Sequence, residues 1–121
     1  MSSRVIQPSE IPFHDVPWGL TKVLVGQDES PGGDHSDLIE FKVTEYGPGY
    51  SHAGHVHPDQ CEIIYVLEGE GVHEDTEGRR HTIAPGAMVW IPPDCWHANH
   101  NPHDVPLRVL VVKVPPSPSG G

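Results

Sequence analysis

Three histidines and one glutamate stand at spacings that could bring them together around a metal ion. His55 and His57 are two residues apart, so on a β-strand both imidazoles point to the same face. Glu62 follows shortly afterwards, and His97 belongs to a second segment that begins at Pro85. Imidazole and carboxylate ligands suit a divalent transition metal: iron, manganese, nickel, copper or zinc. The four residues therefore predict one metal site if the chain doubles back between them.

The segment around the first two histidines resembles the first sequence motif of the cupin family. That motif is a glycine, five residues, His-x-His, three or four residues, a glutamate, six residues and a glycine. The chain matches it at every spacing, at Gly49, His55, His57, Glu62 and Gly69. A match at five fixed positions is a much stronger signal than the His-x-His pair alone.

The segment around His97 resembles the second cupin motif. That motif is a glycine, five residues, proline, any residue, glycine, two residues, histidine, three residues and asparagine. The chain matches it at Gly86, Pro92, His97 and Asn101, and departs from it at Asp94, where the family has glycine. Aspartate tolerates left-handed and turn conformations better than most residues, so we expect the turn before the histidine to be kept.

The resemblance implies an all-β fold, the antiparallel double-stranded β-helix or jelly-roll barrel of the cupins, with His55, His57, Glu62 and His97 as metal ligands. It also implies a small-molecule substrate and a homodimer. Unpaired groups at the edge of an open antiparallel sheet favour pairing with a second copy. The apolar residues Val5, Ile6 and Ile11 could belong to an exchanged arm.

The distribution of turn residues independently predicts short strands. Fourteen prolines and thirteen glycines interrupt β-rich runs, and no sustained helical period is present. The runs predict strands over Leu20–Val25, Leu38–Tyr46, His52–His57, Glu62–Glu68, Gly71–Asp75, Arg80–Ile83, Ala87–Ile91, Trp96–Asn99 and Leu107–Val114. We expect a single domain, with an N-terminal arm over 1–17 (one short strand around Val5–Gln7), a barrel over 18–114 and a disordered tail over 115–121.

Strand alternation gives a prediction for the substrate cavity. If Glu62 points inward, Ile64 and Val66 share its face, and Met88 and Trp90 share one face of a later strand. We therefore predict an apolar cavity lined by these four side chains. Gln60, on the turn between the ligands, is a further candidate for a contact near the metal.

Charge and composition exclude several classes of partner. Acidic residues outnumber basic ones by 17 to 7, for a formal net charge of −10, which argues against binding to nucleic acid or to anionic membranes. The sequence has no long apolar stretch and its start lacks the apolar core of a signal peptide, so we expect a cytoplasmic protein. In that compartment Cys61 and Cys95 are expected to be free thiols.

The sequence leaves the reaction open. The first hypothesis is a metal-dependent enzyme acting on a small organic metabolite. By resemblance we lean towards a dioxygenase acting on a phenolic, enolic or diketone substrate that chelates through oxygen, with Glu62 as an additional candidate base. A lyase, an isomerase or a polyketide cyclase is the alternative. Hypotheses of other classes are a non-catalytic module that binds a small ligand and a purely structural jelly roll, which has no need of four convergent polar groups.

Overall fold

The computed structural model describes residues 2–51 and 54–117, and strands account for nearly all of their regular structure. Within those ranges, one 3-10 turn, Pro8–Glu10, precedes all of the strands. The strands are β1 (His14–Val16), β2 (Gly19–Gly26), β3 (Asp34–His35), β4 (Glu40–Tyr46), β5 (Cys61–Glu68), β6 (Gly71–Glu74), β7 (Arg80–Ile83), β8 (Met88–Ile91), β9 (Ala98–His100) and β10 (Leu107–Val114). No helix in these two ranges has the length and apolar character needed to cross a membrane.

The strands form two sheets. The larger sheet has the order β1-β2-β4-β10-β5-β8, with β3 attached to β2, and the smaller sheet has the order β7-β6-β9. The pairings are antiparallel except for the short parallel contact between β2 and β3. Strands far apart in sequence, such as β4 and β10, lie side by side, as a double-stranded β-helix requires. The predicted fold class is confirmed.

The main core lies between the two sheets. On β10 every second residue is buried, and Leu107, Val109 and Val111 point inward. They pack against Ile64 of the neighbouring strand β5 and against Ile83 of the smaller sheet. Alternating apolar residues therefore hold one face of each sheet together, and the polar end of the same interior is left for the site.

The N-terminal residues, which were predicted to form an arm over 1–17, pack against the large sheet. Strand β1 pairs with β2, and Ile11 packs with Leu24 and Val43 in a second apolar cluster. Lys22 Nζ donates a hydrogen bond of 2.6 Å to the Pro8 carbonyl. No strand forms at the predicted positions around 5–7. Contacts with residues of β2 and β4 therefore hold this segment on the large sheet.

The beginning of the predicted tail is also held by the barrel. Gln60 Nε2 donates a hydrogen bond of 2.8 Å to the Pro115 carbonyl, and the Ser117 backbone N–H donates one of 3.3 Å to Glu40 Oε1. Buried polar groups therefore hold residues 115–117 against the barrel. Residues 118–121 lie outside the described part of the chain.

The predicted strand over His52–His57 is replaced by two isolated bridges. Ser51 pairs with His100, and His55 pairs with His97. Positions 52 and 53 of the predicted strand lie outside the described residues. Pro58 follows His57 directly and lacks a backbone donor, so a regular strand cannot continue through this point.

Candidate metal centre

Backbone pairing brings the two histidine segments together. The His55 N–H donates a hydrogen bond of 3.0 Å to the His97 carbonyl, and the His97 N–H returns one of 3.1 Å to the His55 carbonyl. His57 lies two residues further along, and Glu62 is the second residue of β5. The side chains of these four residues, which span positions 55 to 97 of the sequence, thus meet at one end of the barrel interior.

The distances among these four side chains are short enough for a shared ligand. One ligand atom from each of His55, His57 and His97 lies within 4.8 Å of the others. Glu62 Oε1 lies 3.6 Å from His97 Nε2 and 3.8 Å from His57 Nε2. The structure therefore places all four predicted residues together, and the three imidazoles form a group that could hold a metal ion.

The protonation of the imidazoles fits a metal ion. The Cys95 carbonyl, 3.1 Å from His97 Nδ1, can only accept, so Nδ1 carries the proton and Nε2 offers its lone pair towards Glu62. His57 Nε2 is buried without a hydrogen-bond partner among the described residues. Burial, with Lys113 and His97 nearby, lowers the pKa of His57 to about 4, so its imidazole is neutral near pH 7. Neutral imidazoles are the form that binds transition metals.

Two tight backbone positions support the site. Asp94, which replaces the usual glycine of the second motif, has a φ of 63°, and its N–H donates a hydrogen bond of 3.2 Å to the His57 carbonyl. The expectation that aspartate keeps this turn is confirmed. A Cβ at Gly54 would lie 1.8 Å from the Trp96 indole, so only glycine fits beside His55.

The four residues open onto a cavity of about 290 Å³. A cavity of this volume suits a small metabolite, since ligand pockets usually begin at roughly 300 Å³. The lining comprises the four candidate ligands and eight further residues, namely Trp18, Lys42, Thr44, Tyr46, Tyr50, Asn99, Val111 and Lys113. The cavity is therefore polar on several sides and apolar on others.

The prediction that Met88 and Trp90 line the cavity was wrong. Their side chains lie on the outer face of the sheet and are 59% and 54% exposed. The antiparallel register pairs Glu62 with Ile91, so Ile91 is the residue of β8 that points inward beside the site. Parity within one strand leaves both faces possible, and only the pairing register decides between them.

The other predicted cavity residues are buried but lie elsewhere. Ile64 and Val66 share the inward face with Glu62, as alternation predicted, yet they pack in the main core and do not line the cavity. Gln60 is buried as well, and its amide binds the chain after β10. The predicted apolar cavity is thus filled core, and the open space lies closer to β4.

The polar cavity residues that the sequence analysis missed include two lysines and a tyrosine. Lys42 and Tyr46 lie at alternate positions of β4, and Lys113 follows Val111 at the same spacing on β10. The sequence signal for Lys113 was its two-residue spacing from Val109 and Val111, which places it on the same inward face of the strand. A buried lysine is rare without a paired charge or a functional reason.

A chain of polar contacts lies behind His97, one of the candidate metal ligands. Burial raises the pKa of Tyr46 well above its usual range, so its phenol stays protonated, and it is hydrogen-bonded to Asn99. His73 Nδ1 and Asn99 Oδ1 are 2.8 Å apart, and the His73 ring stacks on His97 with centroids 6.0 Å apart. Because Asn99 Oδ1 only accepts, His73 Nδ1 is the donor. The chain fixes the position of His97 from behind.

A double-stranded β-helix with a histidine cluster beside a small cavity defines a jelly-roll domain in which three histidines could hold a metal ion. A family model described as Cupin domain matches residues 42–113, more than half of the chain. The chain therefore belongs to the cupin family. The matched range contains the four candidate ligands and both cavity lysines.

One protein is similar to this chain in sequence, and two solved structures are similar to it in fold. An uncharacterized protein of Methanocaldococcus jannaschii is 34% identical over 62 residues, 51% of this chain and 49% of that protein. The structure of KdgF from Halomonas sp. superposes with a TM-score of 0.80 over 99% of this chain and all of that one, at 18% identity, which concerns the fold alone. A sugar phosphate isomerase from Silicibacter pomeroyi DSS-3, of the cupin superfamily, gives 0.58 at 26% identity over 64% of this chain and 50% of that one. The chain thus spans about half the length of the first and third of these relatives.

Proposed function

We propose that this cupin is a metal-dependent enzyme that acts on a small organic metabolite able to chelate through oxygen. The observation that carries the proposal is the convergence of His55, His57, His97 and Glu62 on one wall of a small cavity. These four side chains hold the metal in our proposal. A bound divalent ion would supply Lewis acidity towards the substrate's oxygens and, for a redox-active ion, one-electron chemistry.

Proton transfer to or from the substrate, as in an isomerase or a lyase, is the reaction that the cavity favours. The apolar residues predicted for the cavity do not line it, and Lys42, Tyr46 and Lys113 bring proton-bearing groups to the open space. The raised pKa of Tyr46 keeps a phenol proton available for a hydrogen bond to the substrate. The relative that is named as a sugar phosphate isomerase supports the same class.

Oxygenation of a phenolic, enolic or diketone substrate is the second candidate. The ligand set itself favours it, since three imidazoles and one carboxylate suit iron, manganese, nickel or copper as well as zinc. In this reading the protein would keep the substrate's oxygens near the ligands, and Trp18 and Tyr50 would limit the entry of water.

One experiment separates the two candidates. The protein, loaded in turn with zinc and with ferrous iron, is incubated with small oxo acids, hydroxy acids, phenols and diketones. We expect the C–H bonds of one class to exchange with D₂O, as followed by NMR, without dioxygen and faster than with a His97→Ala variant. Uptake of dioxygen with iron alone would instead support oxygenation. Stoichiometric binding with neither reaction would contradict the enzyme and leave a ligand-binding module.

The Glu62→Gln variant tests the role of the carboxylate. It keeps the shape of the side chain and removes the negative charge that faces His57 and His97, so zinc affinity should fall roughly 10- to 100-fold. Glu40→Gln is the matched control, because Glu40 is also buried and pairs with Lys42 at 2.9 Å, whereas Glu62 is the carboxylate that lies 3.6 Å from His97 and 3.8 Å from His57. Equal losses in both variants would contradict a ligand role for Glu62. Unchanged D₂O exchange in Glu62→Gln at saturating zinc would exclude it as the base.

We further propose that two copies associate through the outer face of β5 and β8. Strand β8 is an edge of the large sheet, and Tyr65, Met88 and Trp90 expose apolar surface beside it. A second copy would cover this face and edge. Light scattering should give twice the 13.3 kDa chain mass, and a Met88→Lys/Trp90→Lys variant should be monomeric. A monomeric wild-type protein would contradict the proposal.

A further inference from the structure

Two of the three lysines of this chain, Lys42 and Lys113, line the cavity. Lys113 is only 8% exposed, and the side chain of Lys42 is 14% exposed. Burial lowers the pKa of Lys113, and the nearby Lys42 lowers it further. Holding two ammonium groups together in a half-enclosed space is costly unless negative charge compensates them.

The compensation within the protein comes from two glutamates. Lys42 Nζ lies 2.9 Å from Glu40 Oε2. Lys113 stands on β10 directly between Glu40 on one neighbouring strand and Glu62 on the other, and its Nζ donates a hydrogen bond of 3.2 Å to Ser117 Oγ. Two lysines and two carboxylates balance, provided that the imidazoles are neutral.

A bound divalent ion changes this balance. The ion adds two positive charges to a cluster that is otherwise neutral, so the loaded cavity carries an excess of positive charge. The chain as a whole has a formal net charge of −10, so this excess is local to the cavity. A positive, partly enclosed site therefore attracts a small anion even though the protein as a whole is acidic.

We propose, on the basis of the metal site proposed above, that the substrate is a small oxyanion whose carboxylate or phosphate group is held by Lys42 and Lys113. The two ammonium groups supply several hydrogen-bond donors, and those not used by Glu40 and Ser117 remain for the anion. The anionic group binds on the β4 and β10 side, and the cavity volume of about 290 Å³ suits a small metabolite. The lysines thereby determine which metabolites enter.

A purely structural role for the lysines makes different predictions. If they only neutralise Glu40 and Glu62, removal of one lysine would lower stability and would leave anion binding unchanged. The useful readout is therefore a comparison of a ligand that keeps free carboxylate oxygens after chelation with a ligand of the same chelating geometry that has none. Malonate and 2,4-pentanedione both present two oxygens in a 1,3 arrangement, but 2,4-pentanedione chelates as its enolate and leaves no anionic oxygen for the lysines.

The test is calorimetric titration of the zinc-loaded protein with malonate, 2,4-pentanedione and inorganic phosphate. The variants are Lys42→Gln and, as a second position, Lys113→Gln; Arg79→Gln removes the same charge at a side chain that is 71% exposed and serves as the control. We expect Lys42→Gln to weaken malonate or phosphate binding about tenfold or more, because a charged hydrogen bond is lost. Binding of 2,4-pentanedione should change much less than that of malonate, zinc affinity should not fall, and Arg79→Gln should behave as the wild type.

Each outcome has a separate meaning. Lysine-dependent binding of malonate identifies a carboxylate, and lysine-dependent binding of phosphate identifies a phosphate. Equal effects on malonate and 2,4-pentanedione, or no effect of either lysine variant, would overturn the inference while the metal site stands. Failure of the wild-type protein to bind zinc would overturn the proposed function itself, and the charge excess with it.

Discussion

Replacing His97 with alanine should weaken zinc binding by roughly 100-fold or more. The variant loses a candidate ligand itself, and even replacing a residue that only hydrogen-bonds to a metal ligand lowers metal affinity by about 10- to 100-fold. His97 is 2% exposed, its Nδ1 is held by the Cys95 carbonyl, and its backbone pairs with His55. The backbone pairing does not depend on the side chain, so the barrel should remain folded. Competition with a chromophoric zinc chelator measures the affinity.

His103→Ala is the control for that result. The His103 side chain is 44% exposed and lies near Glu70, away from the four candidate ligands. Its replacement should leave zinc affinity unchanged. If His97→Ala binds zinc as well as His103→Ala does, the site described here is not where the metal binds.

Replacing Asn101 with alanine should lower the free energy of unfolding by about 3 kcal/mol or more, because each buried partner that is left unsatisfied costs about 1–3 kcal/mol. Asn101 is fully buried, and its Nδ2 group donates to the carbonyls of Tyr46, Gly47 and Val105 at 2.8–3.1 Å. Its Oδ1 accepts a hydrogen bond of 3.1 Å from the His103 N–H. One side chain thus joins the end of β4 to the loop before β10. Chemical denaturation measures the loss.

Two variants make the Asn101 result specific. Asn101→Asp keeps the acceptor for His103 and removes the amide donor, so it should still lose most of the stability. Gln27→Ala removes one exposed amide that donates to Asp37 and should change stability by less than about 0.5 kcal/mol. A loss below about 1 kcal/mol in Asn101→Ala would show that water replaces its hydrogen bonds.

Part of the arrangement of the four candidate ligands could be predicted from the sequence because the spacing within each segment is local. His55 and His57 share a face through the two-residue period of extended backbone, and the turn at Asp94 depends on one residue that tolerates a positive φ. The pairing of the two segments required the motif resemblance, since nothing local to either segment specifies the 42-residue separation between His55 and His97.

The cavity lining could not be predicted in the same way. Alternation correctly placed Ile64 on the same face as Glu62, but the register between β5 and β8 decides that Ile91 and not Trp90 faces inward. Whether an inward residue borders open space or filled core depends on which strands lie opposite. For that reason Ile64 became core and Lys42 became cavity wall.

The two ends of the chain show the same limitation. Ile11 and Ser117 stand in segments whose composition is typical of loops, and both are buried by contacts with residues far away in sequence. Local composition predicts how a segment behaves alone, whereas these contacts depend on the sheet face or the buried carboxylate that each segment meets.

The most direct test of the metal site is the metal content of the protein purified without added metal, measured by elemental analysis beside a His55→Ala/His57→Ala variant. We expect close to one transition-metal ion per chain in the wild-type protein and almost none in the variant. A redox-active metal would favour the oxygen-dependent reaction, and zinc would favour the isomerase or lyase. Absence of metal from both proteins, even after reconstitution, would contradict the metal-dependent enzyme proposed here.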